Sequence, residues 1–495
     1  MRNAILRTLL MAGLLAWLAC QKEQVPRPKS VAVVADPASR LRIEIDEKEF
    51  LYSYEFTPSP NANLRGAEAK KKHLDLLIDK KLLTLEGFRL GLDSDEEVQI
   101  ALKWYREKAI RQKLYQEVVQ KKVTITDEEL REAFTRWKTR VRVRHLPAAT
   151  EEEAWELRKK LLAGATFQEL SRDRFKDEAY AANGGDLGWV RWGQLDENFE
   201  KAMYTLPVGE ISKPVRSRWA YHIIKVENRI TDALITESEF HNKAPSLRKI
   251  LSMRKQEKLA NQFVQEFMRP KRVRVYGPSV VFLAEISKRL FGDQEKPLPP
   301  FAPRLYNEQI QKLQDHIQDR LNDVLVVFEG GQWTIGDFLQ KLRYVHTDSR
   351  PVMTSKKNLK NVIARMVRDE FLLEEGYRRG LHRSDYVRQE TEYWREELTY
   401  LKMKKALFDT IQVTEKEIRE EYERRKYLKS YEEVRERIAQ KILEKKQIML
   451  LRRVLAQLRQ RYEVQIDEDR LLAVRTTDDI FPHKQKIQMF GVRIR

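Results

Sequence analysis

Apolar positions at Leu74, Leu77, Ile78, Leu82, Leu85 and Phe88 recur three and four residues apart. That spacing predicts a helix that buries one face. The pattern stops in "EGFRLGL" (86–92). The same sentence is written again downstream. Ile363, Met366, Val367, Phe371 and Tyr377 recur at matching intervals, and the pattern stops in "EEGYRRGL" (374–381). An offset of 289 residues carries one stretch onto the other, with Gly87, Gly91 and Leu92 falling on Gly376, Gly380 and Leu381. Gly91 and Gly380 are the expected left-handed stops. The correspondence extends to "ITDEELREAF" (125–134) and "VTEKEIREEY" (413–422). Each carries a capping box, Thr126 with Glu129 and Thr414 with Glu417. Upstream, "IEIDEKEF" reads as a strand entering a helix capped by Asp46, and "LVVFEGGQWTIGDF" (325–338) is its counterpart. Agreement in strand, cap, buried face and stop indicates a duplicated helical module.

The copies differ in one place. In the second, Tyr422 leads through a short connection into the helix "YEEVRERIAQKILEKKQIMLLRRVLAQLRQ" and the strand "YEVQI". In the first, the comparable helix is expected only from Pro245, ending in the strand "RVRVY", so residues 138–242 are interposed. Residues 21–38, with Pro26, Pro28 and Pro37, read as a tether. The first copy then spans 39–139 and returns at 231–286, around an inserted unit at 140–230. A Pro-rich linker and helix occupy 287–322, the second copy 323–470 and a tail 471–495. An insertion needs its two ends close together, so its removal is expected to leave the host core intact.

The insert alternates strand and helix patterns: "VRVRHL" (141–146), two helices broken at Gly164, a turn and strand at "NGGDLGWVRWGQL" (183–195), a helix at "DENFEKAMYTL" and two final strands ending in "YHIIKV". Four of the chain's 18 glycines fall between 184 and 193, where only tight backbone geometry accounts for them. The segments "RHL", "NGGDLGW", "GQLDENFEKA", "LPVGEISKPV" and "YHIIKV" occur in this order, and over this length the insert resembles the parvulin-type (PpiC) peptidyl-prolyl cis/trans isomerase domain. The resemblance implies an α+β domain set into mainly α chaperone modules. It places the paired histidines of the family at His145 and His222. Its apolar proline wall falls on Leu195 and Phe199, with Leu187 beside them. The position often held by Asp or Cys falls on Glu178. A small hydroxyl residue falls on Ser217, and Trp219 replaces a usually small residue. Each also has a plainer role. The histidines could simply hydrogen-bond across the sheet, Leu187, Leu195 and Phe199 could be core, and Asp186 is a turn cap.

Charge adds a constraint. The formal net charge is +19, but Lys and Arg are interleaved with Glu along helices rather than gathered beside aromatic platforms. Acidic client chains or anionic headgroups suit this pattern better than nucleic acid. At the N-terminus, Arg2 and Arg7 precede an uncharged apolar run, Thr8–Ala19, which is too short to span a bilayer and has the length of a signal segment. It ends at Cys20, the only cysteine. The segment 1–20 resembles a bacterial lipoprotein signal, which implies lipidation of Cys20. Gln21 leans towards the outer membrane by the same analogy. No metal-ligand cluster, phosphate-cradling glycine loop or Gly-x-Ser-x-Gly elbow occurs, and no cofactor is implied. The whole resembles exported foldases of the SurA and PrsA kind. The implied partners are unfolded or nascent exported proteins, outer-membrane proteins among them, with a lipid anchor at the periplasmic face. Neither an oligomeric state nor a particular client follows from the sequence. The alternative is a holdase whose parvulin domain binds chains with little catalysis.

Overall fold

The caps form as the sequence directs. Thr126 Oγ1 accepts from the Glu129 N–H while Glu129 accepts from the Thr126 N–H, and Thr414 and Glu417 repeat the pair. Asp46 accepts from the Glu49 N–H. Gly91 and Gly380 both sit at φ +71°, a conformation that any Cβ would strain.

In the computed structural model, residues 30–57, 64–175, 177–232, 236–292, 305–345, 350–425 and 427–480 are described. The chain opens with β1 (Ser30–Ala35), β2 (Arg42–Asp46), α1 (Glu47–Phe56), α2 (Gly66–Arg89), α3 (Glu96–Val118) and α4 (Asp127–Lys138). The insert follows as β3 (Thr139–Ala148), α5 (Glu151–Leu162), α6 (Phe167–Ser171), α7 (Glu178–Ala182), β4 (Asp186–Val190), α8 (Glu197–Thr205), β5 (Val215–Arg216) and β6 (Tyr221–Thr231). The chain returns through α9 (Glu237–Met268), β7 (Arg274–Val275), α10 (Gly277–Phe291) and α11 (Asn307–His316). The second copy comprises β8 (Val324–Phe328), β9 (Gly331–Thr334), α12 (Ile335–Arg343), α13 (Lys356–Arg378), α14 (Asp385–Phe408), α15 (Glu415–Arg425), α16 (Tyr431–Arg461) and β10 (Glu463–Ile466), followed by α17 (Glu468–Ala473).

The two copies exchange strands. One sheet has the order β10–β1–β2, with Val34 opposite both Val464 and Ile43. The other has the order β7–β8–β9, with Val326 opposite both Val275 and Trp333. Each copy's closing strand thus completes the other copy's hairpin. The cores follow the same rule. Val31, Ile45, Phe50, Leu74, Ile78 and Leu82 pack with Met403, Leu458 and Tyr462. Leu325, Phe338, Ile363 and Phe371 pack with Leu283 and with Phe267 and Val275 from the end of the first copy.

The helices cross by the same exchange. α14 packs on α2 and α3, and α13 packs on α3. A Cβ on Gly87 would lie 2.6 Å from Thr399 Cγ2, and one on Gly376 would overlap Ile110 Cγ2. The 289-residue offset carries Gly87 onto Gly376 and Ile110 onto Thr399, so these are one contact made twice. Tyr105 and Trp394, also equivalent, stack on each other with centroids 3.4 Å apart and planes 10° apart. The copies are therefore related as the halves of an isologous dimer are, within one chain.

Three expectations need correction. Ser30–Ala35 lies in the stretch read as a tether but is the central strand of its sheet, with Val31 and Val34 fully buried. Its β-branched run outweighs the neighbouring prolines. In the stretch read as a tail, Leu471, Val474 and Thr476 are buried, and Lys70 donates to the Leu472 and Val474 carbonyls. The helix expected from Pro245 starts at Glu237, where Thr236 accepts from the Glu239 N–H, and carries Pro245 inside it. The insert also does more than sit on its host. Trp192 is buried among Leu130, Ala133, Phe134, Phe240 and Leu247 of α4 and α9. In the second copy, where no insert intervenes, the α15–α16 hairpin is closed by its own tyrosines, with Tyr422 stacked 5.8 Å from Tyr427.

The close crossing gives a direct test. Gly to Ala in a helix interior ordinarily gains about 0.5–1 kcal/mol. Gly87→Ala should instead destabilise by about 1–3 kcal/mol, because the new methyl meets Thr399. Thr399→Ala should remove most of that loss, giving a coupling energy of more than about 0.5 kcal/mol in a urea-denaturation double-mutant cycle.

Candidate functional site

Antiparallel pairing of β3 with β6 sets Pro147 opposite His222 and His145 opposite Ile224. His145 and Pro147 lie on one face of β3, so His145 and His222 are diagonal neighbours across the strands. Their Nδ1 atoms are 3.0 Å apart. β5 lies on the far side of β6, with Val215 opposite His222. Just beyond it, buried Ser217 sets its hydroxyl 2.7 Å from His222 Nε2. The same hydroxyl accepts from the Trp219 and Ala220 N–H groups.

Helix α8 supplies the floor. Phe199 is buried, and its ring meets His145 at 5.5 Å and His222 at 5.3 Å, both edge to face. Leu187 and Leu195 are half-buried against the same cluster as Phe199, Met203 and Ile224. The glycines shape the backbone beside it. Gly185 (φ +70°) accepts from the His145 N–H, and a Cβ there would collide with the His145 carbonyl oxygen. Asp186 accepts from the Gly188 N–H at 2.8 Å and pairs with Arg142, as a turn cap does.

Burial sets the charge state. Desolvation, with the neighbouring His222, pushes the His145 pKa down to about 3. Desolvation pushes His222 down to about 4 against an opposing pull from Asp196. Both rings are uncharged near neutral pH. One Nδ1–H is then shared between them, and the Ser217 hydroxyl complements whichever tautomer His222 adopts, donating to its Nε2 or accepting from it.

The structure brings His145, His222, Ser217, Phe199, Leu187 and Leu195 to one slot. It does not bring the other two residues into contact with the histidines. Glu178 opens α7, exposed, with its neighbour Asp177 acting as the cap. Trp219 is 84% exposed. Cys20 lies outside the described residues. Sequence reasoning missed Phe175, whose ring meets His145 edge to face at 5.3 Å. Its signal was an aromatic residue in the otherwise polar run "SRDRFKDE". It also missed Glu200, a carboxylate buried beside Phe199. Among the described residues no group of three His, Cys, Asp or Glu side chains is arranged to hold a metal ion.

Residues 141–228 match the family model of the PPIC-type PPIase domain, described as a rotamase. The foldase protein PrsA of Geobacillus kaustophilus is 32% identical over 169 residues, which covers 31% of this chain and 60% of that protein. The foldase protein PrsA of a Geobacillus species (strain WCH70) is 34% identical over 199 residues, 38% of this chain and 70% of that protein. The 1.70 Å crystal structure of the peptidylprolyl isomerase PrsA from Bacillus anthracis is 24% identical, with a TM-score of 0.24, covering 44% of this chain and 94% of that one. On the family model over residues 141–228 and the 34% identity with a relative covered to 70% of its length, the chain belongs to the PrsA foldase family and carries a PPIC-type isomerase domain.

Proposed function

We propose that this chain is an extracytoplasmic foldase that holds unfolded exported proteins and catalyses cis/trans isomerisation of their X–Pro bonds. The observation that carries the reading is the pair of uncharged imidazoles over Phe199, facing an apolar wall. An X–Pro bond is held planar by resonance, and rotation takes tens to hundreds of seconds unaided. The twisted amide is less polar than the planar one, so a slot that strips water from the prolyl ring favours it. Leu195 and Phe199 hold the ring. The His145–His222–Ser217 chain keeps the slot neutral and in register, since a protonated ring would stabilise the planar carbonyl instead.

A second reading, a holdase with weak catalysis, draws on Glu178 and Trp219. Glu178 is exposed at the start of α7, and Trp219 offers an exposed indole two residues after Ser217 in the chain. The helical modules hold clients in either case. No helix among the described residues is long and apolar enough to cross a membrane. We propose that a lipid on Cys20 attaches the chain to the outer membrane, facing the periplasm; what supports this is the uncharged apolar run Thr8–Ala19 that ends at the lone cysteine.

Three measurements test this. Phe199→Ala should lower kcat/KM for a Leu-Pro tetrapeptide at least about tenfold while costing about 3–5 kcal/mol of stability. Asp186→Ala should leave kcat/KM closer to wild type, and equal activity in Phe199→Ala and wild type would exclude this pocket. The histidines set a pH signature. Their folded pKa values lie below the ordinary value of about 6.5. The unfolded chain therefore takes up protons that the folded chain refuses. Stability should hold above pH ~6.5 and fall as pH drops towards ~4, by up to about 1.4 kcal/mol per pH unit for each ring. Isomerase activity should stay flat from pH 8 to 6, where neither ring titrates. Finally, Cys20→Ser should shift the protein from a carbonate-resistant membrane fraction to the soluble one.

A further inference from the structure

The rim of the slot is not finished by the isomerase domain itself. Glu200 follows Phe199 on α8 and is only 2% exposed. Its Oε1 accepts from the Gly193 N–H at 2.7 Å and the Leu195 N–H at 3.0 Å. Those two N–H groups carry no full charge, and a buried carboxylate left with them alone is costly. The counter-charge comes from outside the domain. Arg254, on host helix α9, donates to Glu200 Oε2 at 2.6 Å. Its guanidinium also reaches the Leu195 carbonyl at 3.4 Å and lies over Trp192, 4.6 Å from the ring centroid. Arg254 thus touches both flanks of the Trp192–Leu195 loop and the carboxylate inside it.

Its neighbours on α9 press on the same loop and its surroundings. Ile250, one turn earlier, lies so close to Gly193 that a Cβ there would be 2.6 Å from Ile250 Cδ1. Glu257, nearly a turn later, pairs with Arg218, next to Ser217. The spacing 250, 254, 257 puts all three on one face of the helix. Further along, Leu259, Ala260 and Phe263 pack against Leu114 and Val118 of α3 and Leu372 of α13, and Gln256 accepts from the Tyr115 hydroxyl. The helix that steadies the slot is therefore packed into the exchanged helical core.

We infer that Arg254 is a positioning residue for the isomerase. Through Glu200 it sets the place of Leu195, one wall of the proline slot, from the host module. The inference rests on the isomerase reading above. Because Leu195 contacts the prolyl ring in ground and transition states alike, losing Arg254 should weaken binding rather than turnover.

The test uses the full chain and a tetrapeptide with one Leu-Pro bond. Arg254→Met should raise KM about tenfold with kcat within about twofold of wild type. Arg254→Lys restores the charge and should bring KM back to within about threefold of wild type. Glu257→Gln, which breaks only an exposed pair on the same helix face, should leave KM unchanged. If Arg254→Met does not fold, Arg254→Met with Glu200→Gln removes the stranded charge, and its KM should also rise about tenfold. A wild-type KM in either folded variant, or an equal rise with Met and Lys at 254, overturns the inference. An inactive wild-type chain would instead remove the isomerase reading on which it rests.

Discussion

Two glycines decide how closely the halves of this molecule approach. Gly87 lets α2 lie against Thr399, and Gly376 lets α13 lie against Ile110. At both crossings a side chain of any size would push the helices apart. The Tyr105–Trp394 stack fixes the middle of the same interface. Everything else is arranged around this contact. The exchanged strands join the same two halves that the helices bring together. α9 in turn has a fixed bed on α3 and α13 from which to reach the inserted domain.

The insertion breaks the symmetry. The α15–α16 pair shows what the hairpin looks like unmodified, closed by Tyr422, Tyr427 and Tyr431. In the first copy Phe134 stands where Tyr422 does, and Trp192 joins it from within the insert. The domain is thus held by burial at Trp192 and by charge at Arg254. A domain matched to its family over residues 141–228 takes part of its rim from residue 254.

Much of this was legible in the sequence because it is local. Capping boxes, the stops at Gly91 and Gly380 and the buried helix faces depend on residues within a turn or two. The slot was legible through His145, His222, Ser217, Leu195 and Phe199, whose order along the chain carries the resemblance. The exchange of strands was not. The two closing strands are near equivalents, so either would satisfy either hairpin, and no local pattern encodes the choice. β1 was hidden because Pro26, Pro28 and Pro37 surround a short apolar run. Arg254 was hidden because an arginine on a charged helix looks the same whether it meets solvent or a buried carboxylate fifty-four positions away. Glu178 and Trp219 were carried by position in a motif alone, and neither contacts the histidines.

The pairing of Val34 with Val464 also has a temporal side. A polypeptide emerges from its N-terminus, so β1 and α2 are made long before the strand and helix that complete their core. The second hairpin, β8–β9, finds its partner β7 about fifty residues upstream, already synthesised. The two cores are therefore unequal in folding order although nearly equal in design. The later-encoded one is able to close first, and the earlier-encoded one waits with its apolar face open until the last strand arrives. Non-local pairing of this kind slows folding and lengthens exposure to aggregation. A chain proposed to shield the unfinished segments of others must itself pass through a long unfinished stage.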